Sequence, residues 1–155
     1  MNFPPDVEFY KDIRLLVHRP HGLLNKAAVS RIVALVGELE YSLQEPFNRF
    51  FDTVAADAHD LNFEYMIHIS LYRRCVYAGR PAIKSAILAT DSTLIHYARL
   101  HSVLTQGSPI KVRVFQDRKE AAEWLGVPPE LVESEASTVA IHDSQAKIKL
   151  INPIT

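Results

Sequence analysis

The residue types that could carry chemistry are scattered along this chain rather than gathered into a motif. Asp91-Ser92-Thr93 follows an apolar run and stands where a helix should open. Free backbone N–H groups and the helix dipole attract anions at such a place, which makes Ser92 and Thr93 candidates for a phosphoacceptor or an anion site. The same residues also meet a plainer need. Asp91 is a strong N-cap, worth about 1 kcal/mol, and its own charge already suits the dipole and would repel a phosphate. No Gly-rich loop precedes it, unlike a true phosphate cradle. Arg19, His21 and Asn25 form a second group, between a strand and the first helix. Ligands of open α/β sheets favour the crevice at the carboxyl ends of the strands. Arg19, His21, Asp91, Ser92 and Thr93 are therefore the candidate ligand-binding residues, facing a pocket between the loop after the early strand and the loop after Leu88.

Seven histidines invite a metal reading. His96 and His101 are five apart on one expected helix, so they diverge where an i, i+4 pair would converge. His68 has no partner in sequence reach, and no metal site is assigned. His101 falls on an apolar stripe, where a buried, hydrogen-bonded imidazole is expected. The single cysteine, Cys75, can form neither an internal disulfide nor a Cys-rich zinc site. Arg73 and Arg74 beside it would lower its pKa, while the end of a helix would raise it. Its place in the stripe Phe63, Ile67, Leu71, Cys75 predicts simple burial. There is no Gly-x-Ser-x-Gly nucleophile elbow, and Glu38 and Glu40 point apart on a helix. No catalytic residue and no cofactor is assigned, and a non-enzymatic protein is expected.

The elements that must position these residues alternate. Val7–Tyr10 and Arg14–His18 read as short strands around a turn at Lys11-Asp12. Asn25 caps a helix carrying Val29, Ile32, Val33 and Val36. Glu38 and Glu40 near its end oppose the dipole, so tertiary contacts must hold that end. Phe47–Val54 has strand composition. Residues 63–78 fit both periods, and their length and the start and stop signals at Asn62 and Gly79 favour a helix. Ile83–Leu88 is a strand, Asp91 caps a helix with Leu94, Tyr97, Ala98, His101 and Leu104, and Ile110–Phe115 is the last strand. Asp117 opens a short helix closed by Gly126, with Trp124 expected to pin it to the sheet. The order is ββαβαβαβα: a single α/β domain with a mixed, mostly parallel sheet of about five strands covered by helices.

Length and composition agree. The chain has 155 residues, 48% hydrophobic and 23% charged, which suits one domain with a real core. A formal net charge of −1 supplies no basic excess for nucleic-acid binding. No run approaches a membrane span of ~20 apolar residues, and the start lacks a basic segment followed by an apolar one. A soluble, cytoplasmic protein is expected. Beyond Pro129 the chain turns acidic, with Glu130, Glu133 and Glu135. The domain is drawn over 1–127 and a C-terminal extension over 128–155. In that extension Thr138–Ile141 and Lys147–Ile151 fit a hairpin, an arm swapped to another chain, or a flexible tail.

Several of these stretches look alike to one family. Asp52 ends its strand, Ala86-Ile87-Leu88-Ala89 precedes a capped helix, and Tyr97-Ala98-Arg99-Leu100 lies within that helix. Val112-Arg113-Val114-Phe115 then leads into Glu120-Ala121-Ala122-Glu123-Trp124-Leu125-Gly126. Over roughly residues 7–126 the chain resembles the bacterial STAS-like, SpoIIAA-like family, related in fold to anti-sigma-factor antagonists and more loosely to Sec14-like lipid-binding domains. The resemblance implies a regulatory protein that works through protein–protein contacts, including a homodimer. It implies, as the alternative, a domain that binds a small ligand or lipid in the crevice at the strand ends. Phosphorylatable members carry an Asp-Ser pair at the start of the helix after a central strand. Here that helix begins near Asn62 with neither Ser nor Thr at its start, and Asp91-Ser92-Thr93 opens the following one.

Overall fold

A computed structural model describes residues 2–133. The expected hairpin, arm or tail beyond residue 133 lies outside the described residues. The chain runs β1 (Val7–Tyr10), β2 (Leu15–His18), β3 (Gly22–Asn25), α1 (Lys26–Leu43), β4 (Asn48–Asp52), β5 (Ala56–Asp60), α2 (Phe63–Tyr77), β6 (Ile83–Leu88), α3 (Ser92–Leu104), β7 (Ile110–Phe115) and α4 (Arg118–Leu125), then a 3₁₀ turn at Pro129–Val132. Five strands form one mixed sheet in the order β1-β2-β4-β6-β7. β1 is antiparallel to β2, and the other neighbours are parallel.

The expected order needs one correction. β3 and β5 pair with each other as a separate two-stranded parallel sheet. Neither has a strand's apolar alternation: β5 is Ala-Asp-Ala-His-Asp. Its backbone ladder, rather than side-chain burial, defines it. Gly22 enters β3 with φ 70°, a conformation that only glycine adopts without strain.

The helices start where their caps allow. Asn25, Asn62, Asp91 and Asp117 each accept a backbone N–H from the first turn. Gly126 closes α4 in the left-handed region, φ 72°. α1 ends against the dipole preference, and tertiary contacts do hold that end. Glu40 accepts from the Tyr77 hydroxyl at 2.6 Å and lies 3.1 Å from Arg49.

Strand alternation divides the core into two layers. Leu15, Val17, Phe50, Leu88 and Phe115 face α4 and the 3₁₀ turn, packing with Ala121, Leu125 and Val132. Leu16 and Phe51 face α1 and join Ile32, Val36, Leu39 and Phe47. Leu94 of α3 meets Leu24 and Ala89, while Tyr77 of α2 meets Ile83 and Ile110. Trp124 is half-buried beside Phe115, with the Lys84 ammonium over its ring at 5.4 Å.

α2 contradicts the stripe read from its sequence. Its buried residues are Ile69, Ser70, Arg73 and Tyr77. Phe63 is 50% and Leu71 53% exposed, and Cys75 is exposed instead of buried. Two apolar-compatible stripes share this helix, and the one that faces inward carries a serine and an arginine. Periodicity counted those two as surface.

Candidate functional site

An apolar cavity of about 120 Å³ lies between the sheet and helices α1, α2 and α3. Its floor is the carboxyl ends of the parallel strands, with His18 at the end of β2, Phe51 and Thr53 at the end of β4, and Ile87 and Ala89 at the end of β6. Val29, Ile32 and Val33 of α1 form one wall. Met66, Ile69 and Arg73 of α2 form a second, and Leu94, Tyr97, Ala98 and His101 of α3 a third. This is the crevice where parallel sheets bind ligands.

The polar groups on this lining are few and mostly neutral. His101 is 3% exposed, and its Nδ1 lies 2.7 Å from Ser70 Oγ. The Ser70 hydroxyl also donates to the Met66 carbonyl at 2.7 Å. A serine has one hydrogen, so His101 Nδ1–H is the donor in the first contact. Burial pushes the His101 pKa down to about 3, and the nearby Arg73 charge acts the same way. Burial likewise lowers His18, against the opposing pull of Asp6, whose carboxylate lies 3.1 Å from Nε2. Both imidazoles are therefore neutral near pH 7.

Ser70 and His101 do not make a nucleophilic pair. The serine's hydrogen is spent on its own helix, and Ser70 is not on the cavity lining. Their bond satisfies two fully buried polar groups between α2 and α3.

Arg73 is the charged group of the cavity. It is 6% exposed and stands over the Phe51 ring at 5.6 Å. Among the described residues no hydrogen bond or ion pair reaches its guanidinium. Burial, then repulsion from Arg49, lowers its pKa to about 10, so it is still protonated at neutral pH. The nearby carboxylate, Glu40, is occupied. It takes Arg49 at 3.1 Å, Arg80 at 3.6 Å and the Tyr77 hydroxyl.

The five residues singled out in the sequence are not brought together on this lining. Asp91 accepts from Leu94 N at 3.0 Å and lies 3.6 Å from His59 Nε2, while Ser92 and Thr93 are exposed in the first turn of α3. His21 is exposed. Arg19 is buried on the opposite face of the sheet, 3.6 Å from Asp52 and 3.5 Å from Glu8. It donates to the carbonyls of Leu131 and Glu133, both at 3.0 Å. Arg118 reaches the same Asp52 carboxylate and the Val132 carbonyl. Asp52 thus joins two arginines into a clamp on residues 131–133.

The cavity lies beside the expected loops, and other side chains line it. Period-2 alternation sends His18 to the cavity and Arg19 to the clamp, and Phe51 to the cavity and Asp52 to the clamp. A signal for Arg73 was present. Met66, Ile69, Arg73 and Tyr77 follow helical spacing, forming a second stripe with one cation in it.

No family model matches the sequence, and no curated protein matches it. Among solved structures, the chain is similar to an uncharacterized protein from Shewanella loihica PV-4, of the DUF3478 family and with a SpoIIAA-like fold. The two are 18% identical, with 77% of this chain and 90% of that one covered and a TM-score of 0.49.

Proposed function

We propose that this protein binds a small, largely apolar molecule in the cavity between α1, α2, α3 and the sheet. The observation that carries this reading is the cavity itself, lined mostly by apolar side chains at the strand ends. Close packing is the rule in protein interiors, and voids larger than a water are few. An engineered apolar cavity of about 150 Å³ in another protein takes up benzene. A space of about 120 Å³ suits a molecule of similar bulk. The absence of a poised nucleophile on the lining favours binding over catalysis.

Calorimetry and thermal unfolding with benzene and with short-chain alcohols test the reading. A ligand at 100 times its Kd should add about 2.7 kcal/mol of stability. Ala98→Leu, which adds three carbons to a side chain on the lining, should abolish that gain while the protein stays folded. No thermal shift with any such probe would overturn the proposal.

A second reading rests on a different surface. Phe63 and Leu71 are half-exposed on the outer face of α2, at the spacing of one stripe. That face supports a protein partner, and a second copy of the chain is the simplest one. Sedimentation of the wild type and of Leu71→Lys tests it: a dimer that the lysine disperses is the expected result, and a monomer at all concentrations would refute it.

A further inference from the structure

We propose that the occupant of this cavity is a small monocarboxylate, its apolar body against Ile32, Ile69 and Leu94 and its carboxylate paired with Arg73. This rests on the reading of the cavity as a ligand site and adds the ligand's charge to it. Three observations carry it. Arg73 is almost completely buried on the cavity wall, where a lone cation is costly unless something pairs with it. The described residues give it no hydrogen bond and no ion pair. Among the described residues the other buried arginines have such partners: Arg49 holds Glu40 and Tyr77, and Arg19 holds Asp52.

The surroundings have the matching sign. Arg49 and Arg80 flank the Glu40 carboxylate, so the region around Arg73 carries more positive than negative charge. A planar guanidinium fits a carboxylate with two parallel hydrogen bonds. The remaining polar groups on the lining, Thr53, Tyr97 and the neutral His18 and His101, add no competing charge. The volume limits the ligand to a small molecule. A short aliphatic or simple aromatic acid meets both conditions, and a diacyl lipid meets neither.

The test is a matched pair of probes, hexanoate and its neutral counterpart hexanamide, titrated into wild type, Arg73→Met and Arg73→Lys by calorimetry. Wild type should prefer hexanoate by about 10- to 100-fold, the range for a hydrogen bond to a charged group. Arg73→Met should lose that preference while binding hexanamide as before, and Arg73→Lys should keep part of it. Melting temperature without ligand adds a readout that a merely structural arginine would move the other way. Removing an unpaired buried charge should leave Arg73→Met at least as stable as wild type. If both probes bind wild type equally, or if Arg73→Met retains the preference, the carboxylate inference is overturned and the cavity reading stands. If neither probe binds wild type, both fall. If Arg73→Met does not fold, the wild-type preference and its partial retention in Arg73→Lys decide the matter.

Discussion

Replacing Asp52 with Asn should be among the most destabilising single changes available to this protein. Asp52 is 3% exposed and faces two guanidiniums, Arg19 at 3.6 Å and Arg118 at hydrogen-bond distance. The carboxamide keeps the shape and removes the charge, which leaves Arg19, itself 5% exposed, with Glu8 at 3.5 Å as its remaining carboxylate among the described residues. Breaking a buried ion pair from one side costs about 3–5 kcal/mol. Total stability of a domain is about 5–15 kcal/mol. At about 2–4 °C per kcal/mol for a chain of this size, the melting temperature should fall by roughly 6–20 °C. Urea unfolding followed by far-UV circular dichroism measures the loss directly. Arg19→Met alone should also destabilise, and the double variant Asp52→Asn/Arg19→Met should recover part of the cost, because a pair removed together leaves no orphan charge. Residues 131–133 should lose protection from amide exchange in both single variants, since their carbonyls are held by these arginines. A cost below about 1 kcal/mol for Asp52→Asn, or strict additivity in the double variant, would refute the clamp.

Three further outcomes are expected. His101 is held near 3 in the folded chain and titrates near 6.5 once unfolded. Between those values the unfolded state binds the extra proton, so stability should fall as pH drops below about 6.5, by about 2 kcal/mol at pH 5. His18 adds in the same direction, and His101→Gln should flatten the pH profile measured by urea unfolding. Asp91→Ala should cost about 1 kcal/mol as a lost cap and leave hexanamide binding intact, whereas intact stability with lost binding would restore Asp91-Ser92-Thr93 as the ligand site. Cys75, being exposed, should react with a thiol reagent at full stoichiometry without denaturant, and a protected thiol would show that another surface covers α2.

Most of the architecture was legible because the local signals agree with one another. Asn25, Asn62, Asp91 and Asp117 mark four helix starts, and each cap is formed. Apolar runs such as Leu15–Val17 and alternation such as Ile110–Phe115 mark strands of the main sheet. What stayed hidden has two physical causes. β3 and β5 are held by backbone pairing between residues over thirty positions apart, which side-chain composition does not encode. The proposed site escaped for the other reason. Arg73, on its lining, breaks the rule that cations face water, and any reading that sorts residues by polarity places it outside. His18 and Arg19 were both in view, and only the pleat of β2 decides which face each one meets.

The inverted orientation of α2 also says how the cavity is entered. This helix buries an arginine and a serine and leaves Phe63 and Leu71 in solvent, so it docks with less apolar burial than its composition offers. α1 by contrast buries Ile32, Val36 and Leu39 outright. α2 thus buries fewer apolar residues than α1, and regions with few buried apolar contacts open locally before the rest of a domain. A hinged door is the behaviour expected of it. Amides along Phe63–Tyr77 should exchange faster than those of α1, and a bound acid, by seating Arg73, should latch it shut.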